Sequence, residues 1–221
     1  MIESYKDLTI KKYNELREVL AEPMGELDLQ ANVISVLTDM SVNDVYNLPL
    51  TKYQELVEKT AFILAKPNLD GKIPDKIVIT TSTGEKLECR VVKDINKITA
   101  AQYIDYQTLA AKPDKEQNIA AILACFIVPK GMKYCDGYDV AEVINWLNEH
   151  MNMYDALNIC FFFRKKYLRS IKATLVYLRV IMKMMRKKEK NQEVRMKIQE
   201  AETQLQTLYQ TLQDNGDGLL W

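Results

Sequence analysis

The chain has 221 residues, 48% hydrophobic and 27% charged, with 30 Lys+Arg balanced by 30 Asp+Glu. These are ordinary values for a soluble globular protein, enough for one large domain or two small ones. Seven Gly and six Pro are too few for a loop-rich or all-β architecture, so a mainly α protein is expected. The opening residues MIESYKDLTIKKY hold no apolar stretch, so no secretory leader is expected. Cys89, Cys125, Cys135 and Cys160 are scattered without close pairs and read as reduced, cytosolic thiols rather than a disulfide framework or zinc site.

Thr9 is an N-cap candidate for a helix over about residues 10–22, with Ile10, Tyr13, Leu16 and Leu20 on one side. Pro23 and Gly25 end it. A second helix is expected over 27–37, presenting Leu27, Ala31, Ile34 and Leu37. Ser41 with Asp44 reads as a capping-box-like start to a short helix that stops before Pro49. Thr51 opens the next, carrying Tyr53, Leu56, Val57 and Phe62 to about Ala65. Pro67, Gly71 and Pro74 mark a boundary. KIVIT (76–80) and KLECRVV (86–92) read as strands around the turn Ser82-Thr83-Gly84-Glu85. Leu87, Cys89 and Val91 alternate with Lys86, Glu88 and Arg90, so one face is wet. A lone hairpin is marginally stable and is expected to lie on helices or pair with a partner chain.

Thr99 caps an expected helix over 100–111. Another is expected over 114–128, whose run Ile119-Ala-Ala-Ile-Leu-Ala-Cys-Phe-Ile makes it the candidate core helix. Pro129, Gly131 and Gly137 frame a loop, Asp139 caps a helix to about His150, and Asn152 or Asp155 restarts the chain.

Residues 161–190, FFFRKKYLRSIKATLVYLRVIMKMMRKKEK, carry eleven basic residues against one acid, Glu189, a net +10. Removing those from the totals leaves 19 basic against 29 acidic residues elsewhere, a net −10. A neutral chain thus divides into a basic helix and an acidic body. Leu168, Ile171, Leu175, Leu178, Met182 and Met185 step along one helical face. Tyr167, Ser170, Thr174, Tyr177, Ile181 and Met184 form a second seam beside it, and together they could occupy more than one neighbour.

Arg164, Lys165, Lys166, Arg169, Lys172, Arg179, Lys183, Arg186, Lys187 and Lys188 are the candidates for facing DNA or an acidic partner, since clustered cations neutralise phosphates without a motif. The competing readings are a core helix whose cations are solvated or paired with the acidic body, and a membrane-surface helix. A spanning helix is excluded, because Arg179 interrupts the longest apolar run, far short of the ~20 residues required. Beyond the polar stretch 187–192, Ile198, Ala201, Leu205, Leu208 and Leu212 step by threes and fours again. Either one helix continues or the chain turns into an antiparallel pair, packed within the chain or between copies.

No catalytic constellation stands out. His150 is the single histidine and sits at a helix end, where the dipole favours it. Asp214-Asn-Gly-Asp-Gly lacks the alternating carboxylates of a calcium loop, and Asp136 and Asp139 read as turn and cap residues. The chain contains neither a Walker A nor a dinucleotide glycine pattern. No cofactor or metal is expected. The densest group of unusual residues includes Gln102, Tyr103, Asp105, Tyr106, Lys130, Tyr134 and Tyr138, read as a structural joint or a partner-binding surface.

TAAQYIDYQ (99–107), IVPKG (127–131) and YCDGYD (134–139) together resemble small proteins of tailed bacteriophages of gut Bacteroidetes, including crAss-like phages. LTIKKY (8–13) and YNLPL (46–50) agree, and the similarity covers roughly residues 7–163. The resemblance implies a virion or assembly role in a phage rather than an enzyme, and it transfers no active-site residues.

The expected fold is mainly α: a helical bundle with an inserted β-hairpin and a long C-terminal helix or helical hairpin. The expected segments are an N-terminal helical module (1–66), the β-hairpin (67–96), central helices (97–151), and a basic amphipathic helix followed by a C-terminal helix (152–221). The expected function is a non-enzymatic virion protein, made in the host cytoplasm. It would bind portal, neck or tail components, with DNA and self-association as open partners and no membrane. A tail-assembly chaperone that leaves before maturation is the alternative, and a nucleic-acid-binding regulator is the third.

Overall fold

A computed structural model describes all residues except 66, 95–96, 113–117, 189–190 and 215–221, together with the side chains of 164, 167, 168, 170, 171, 208, 209 and 211–214. The chain forms two compact units, Met1–Phe162 and Phe163–Trp221. It is mainly helical with one small antiparallel sheet.

Helix starts in the first unit follow local side-chain chemistry. Thr9 is extended, and its hydroxyl accepts from the Lys12 amide to open α1 (Ile10–Ala21). The first turn of α2 (Glu26–Thr38) carries Glu26 and Asp28, which suit the positive end of the helix dipole. Ser41 accepts from the Asp44 amide at 3.1 Å and opens α3 (Val42–Tyr46). The next helix, α4 (Leu50–Thr60), starts at Pro49 rather than Thr51, since the proline ring already sets the φ that the entry needs. It ends in a 3-10 turn, Ala61–Leu64.

Ala31, Ile34, Val45 and Leu56 bury together, with Met40, Leu48, Tyr53 and Val57 packed on them. α2 and α4 run parallel. At one end the Tyr46 hydroxyl donates to Asp28 and the Tyr53 hydroxyl to Gln30. At the other, the Ile2 amide donates to the Leu37 carbonyl and Lys59 pairs with Glu3. Leu27, expected on the inner face, is instead 69% exposed. It lies in the first turn of α2, a turn short of Gln30, where Tyr53 begins to cover that face.

Strands β1 (Lys76–Thr80) and β2 (Lys86–Val91) pair antiparallel from Lys76↔Arg90 to Thr80↔Lys86, around a turn in which Gly84 holds φ 83. Ile79, Cys89 and Val91 are buried while Lys86 and Arg90 are exposed, the alternation expected of a sheet with one wet face. The hairpin finds its partner within the chain: β3 (Ile127–Pro129) adds to β2 with Val91↔Ile127 and Cys89↔Pro129.

That third strand corrects the expected helix over 114–128, of which 114–117 lie outside the described residues. After α5 (Ala100–Ala110), helix α6 spans only Ile119–Ala124. Pro129 disfavours a helical Val128, and the β-branched Ile127 and Val128 suit a strand. The polar groups left by the helix end are taken up by the sheet, since the Val92 amide donates to the Phe126 carbonyl at 2.8 Å.

Asp139 caps α7 (Val140–His150) through the Ala141 amide at 2.8 Å. Asn152, not Asp155, is the cap that opens α8 (Met153–Lys188). Its Oδ1 accepts from the Asp155 amide and its Nδ2 donates to the Asp155 carboxylate, both at 2.8 Å. The amino-terminal segment crosses this junction, with the Met153 amide donating to Leu8 and the Ile10 amide to Met151. Leu8, Ile10, Met153, Ala156, Leu157 and Ile159 are buried there. Asn158, fully buried, accepts from the Gly71 amide at 2.9 Å and donates to the Tyr154 carbonyl, which pins the proline-rich linker to the foot of α8.

The second unit is a helical hairpin. α9 (Gln192–Asp214) begins under Asn191, whose Oδ1 accepts from the Glu193 amide at 2.9 Å. Arg179 donates to Gln206 and Arg186 pairs with Glu202. Rising numbers on α8 thus meet falling numbers on α9, so the two helices are antiparallel. Among the described residues of this unit, Phe163 and Leu175 alone are buried.

Candidate interaction surface on the basic helical hairpin

On the second unit's α8, the helical repeat sorts side chains into three strips. Lys165, Arg169, Lys172, Arg179, Lys183 and Lys187 recur at three-, four- and seven-residue steps and share one side. At 1.5 Å per residue that cationic stripe is roughly 33 Å long. Leu175 and Met182 lie toward α9, Leu175 only 8% exposed. Beyond the cations is a third strip: Tyr177, Val180 and Met184 are 64%, 50% and 53% exposed, while Val176 falls among the cations and borders a groove with Leu175, Glu202 and Leu205. Of the two apolar seams expected from the sequence, Leu175 is buried while Tyr177, Leu178, Met184 and Met185 are exposed, and the side chains of 167, 168, 170 and 171 lie outside the described ones.

Two of the predicted outward cations turn to α9. Arg186 meets Glu202 at 3.1 Å, and Arg179 donates to Gln206 at 3.1 Å. Glu202 is only 13% exposed, and its second oxygen, Oε1, is buried without a hydrogen-bond partner. The sequence reading missed this acid, though an acid four residues after Ile198, on the face stepping to Leu205, was the available signal. Lys165, Arg169, Lys183, Lys187 and Lys188 are exposed, Lys166 and Lys172 are half-buried, and the Arg164 side chain is outside the described residues. At the turn end, Arg186, Lys187, Gln192, Arg195, Met196 and Gln199 line a groove of about 430 Å³. Three cations border it, so it suits an anionic group.

The second predicted cluster lies in the first unit. Gln102 is 3% exposed; its Oε1 accepts from the Thr99 amide at 2.8 Å, closing a capping box, and its Nε2 donates to the Cys125 carbonyl at 2.7 Å. Tyr106 meets Phe126 edge to face at 5.2 Å. The Tyr134 hydroxyl donates to Asp105 at 3.0 Å and lies 3.9 Å from the Cys125 sulfur. Gln102, Asp105, Tyr106 and Tyr134 thus converge where α5 meets the α6–β3 connection. Tyr103 does not join them and is 44% exposed, while Lys130 sits at the sheet, pairing with Glu88 at 3.2 Å. Burial pushes the half-buried Tyr138 hydroxyl up to about 12 and raises Tyr134 as well. These phenols stay protonated at neutral pH, and Tyr134 acts as a hydrogen-bond donor to Asp105. His150, exposed at the end of α7, lies 5.5 Å from the Trp146 ring at a tilt of 50°.

Burial raises the thiols of Cys89 and Cys125 to about 11, whereas Cys135 is exposed in a turn at φ 58. In the native protein at neutral pH an alkylating reagent is expected to modify Cys135 first, with Cys89 and Cys125 reacting only on unfolding. Peptide mass mapping of a labelling time course checks this. Labelling of Cys125 as fast as Cys135 would show that the joint opens.

No helix among the described residues is long and apolar enough to cross a membrane. No family model, no curated protein and no solved structure matches the chain.

Proposed function

We propose that this chain is a non-enzymatic virion protein of a tailed bacteriophage, associated with the head, portal or neck. Its basic hairpin is the element that contacts DNA or the acidic surface of a neighbouring virion protein. One observation carries the reading of the hairpin. Between Arg164 and Lys188, α8 holds ten basic residues and no acid, its exposed cations apart from Lys188 lie in one stripe, and the chain outside 161–190 is net −10. Such a stripe attracts polyanions by releasing their counterions. The phage setting rests on the resemblance of residues 99–107, 127–131 and 134–139.

Mass spectrometry of purified DNA-filled particles, with empty particles alongside, tests it. Presence in full particles is expected, and loss on DNA ejection locates the protein inside the head or portal. Absence from both overturns the reading and favours a tail-assembly chaperone, a role to which the exposed strip Tyr177–Val180–Met184 is also suited. For the DNA contact, affinity is expected to fall steeply with salt. Replacing Arg169, Lys183 and Lys187 by Gln is expected to flatten the log–log slope by roughly three, at about 0.9 per duplex phosphate. Salt-independent binding would remove the DNA contact from the proposal.

A further inference from the structure

We infer that the chain associates head to tail with a second copy of itself. The uncovered apolar strip of α8 in one copy docks on the acidic end of α2 and α4 in the next. The inference rests on the reading of the hairpin as an interaction element, and its solution test is independent of the particle test that decides that reading.

The receiving surface follows from the parallel packing of α2 and α4. Their first turns lie at the same end of the first unit, where Leu27 and Leu50 are each 69% exposed and Tyr46 is 54% exposed. Three large apolar side chains at one end form a patch rather than scattered exposure. Its surroundings are acidic: residues 22–30 and 41–50 contain Glu22, Glu26, Asp28 and Asp44 and no base, while Glu55 beyond them pairs with Lys52 at 2.8 Å and Lys59 at 3.1 Å. The two helix amino termini offset part of that charge. An apolar patch edged by carboxylates fits an apolar strip edged by cations.

Tyr177, Val180 and Met184 are such a strip, with Lys183 beside them. Charge decides the occupant. A two-fold contact of hairpin on hairpin would face two acid-free stretches of α8 toward each other, and like charges across an interface cost several kcal/mol. The head-to-tail contact sets a second unit with 13 basic and 6 acidic residues, net +7, against a first unit with 17 basic and 24 acidic, net −7. Because its two surfaces differ, the contact repeats into a ring or an open filament rather than closing as a two-fold dimer.

Two variants separate the surfaces. Leu27→Lys with Leu50→Lys disables the patch, and Val180→Glu with Met184→Glu disables the strip; all four positions are at least half exposed. Nuclease-treated wild type in low salt is expected to sediment as multiples of the 25.6 kDa chain and to shift toward monomer at high salt. Each variant alone is expected to be monomeric. An equimolar mixture is expected to give one capped dimer, because each variant keeps the surface the other has lost. Circular dichroism checks that both stay folded, and Leu50→Ser and Val180→Gln replace them if either does not. A wild-type monomer in low salt overturns the inference, as does a mixture that stays monomeric or a variant that still self-associates. Association that vanishes on nuclease treatment assigns the strip to nucleic acid instead.

Discussion

Replacing Gln102 by Ala is expected to lower the unfolding free energy by about 2–4 kcal/mol, from a lost cap, an orphaned buried carbonyl and a small cavity. One side chain links two elements here. Its Oε1 satisfies the Thr99 amide at the start of α5, and its Nε2 satisfies the Cys125 carbonyl at the end of α6. A domain of ordinary stability has only ~5–15 kcal/mol in total, so the midpoint of urea unfolding is expected to fall clearly.

Gln102→Glu refines the prediction. The carboxylate keeps the cap bond but faces the Cys125 carbonyl with no proton to give, so it is favoured in its neutral form. The folded-state pKa then lies above the unfolded value of about 4.3. A raised folded pKa means stability that is present below the unfolded pKa and lost as pH rises through the folded one. The variant is expected to be closer to wild type in acid than at neutral pH. A Glu variant equally destabilised at all pH values would show that the Nε2–carbonyl bond contributes little.

Phe126→Ala is expected to cost about 3–5 kcal/mol, the range for truncating a buried aromatic. Phe126 is 1% exposed, lies between α6 and β3, takes the edge of Tyr106, and offers its carbonyl to the Val92 amide. The truncation removes the packing that seats the third strand. Tyr106→Leu serves as a partial test, with an expected loss of about 0.5–1.5 kcal/mol beyond area for the ring pair. Because Gln102 and Phe126 flank the same connection, the double variant is expected to be less than additive. A loss below 1 kcal/mol for Phe126→Ala would mean that the β2–β3 pairing holds without it.

Local chemistry was legible in advance. Thr9, Ser41, Thr99 and Asp139 were each read as caps, and each accepts from an amide two or three residues on. The pairing of 76–80 with 86–91 followed from alternation and the glycine turn. Of the candidate surface, the cationic stripe was visible as composition and period. Of the apolar strip beside it, Tyr177 and Met184 were read as part of a face wide enough for more than one neighbour and Val180 was not, because periodicity identifies a face but not what covers it.

By itself, the sequence determined the caps at Thr9, Ser41, Thr99 and Asp139, which segments alternate as strands in the hairpin, and how charge divides between α8 and the rest, since each depends on residues within a turn or two. Tertiary structure decided whatever depends on distant partners. It drew Ile127–Pro129 out of an apolar helix-like run into a strand against Val91, because an unpaired edge and a proline-ended helix satisfy each other's backbone. Asn158 holds Gly71 across 87 residues, and Glu202 takes Arg186 out of the outward stripe. It also left Leu27, Leu50, Val180 and Met184 in water, because exposure is set by what packs nearby in space, and no local pattern encodes that.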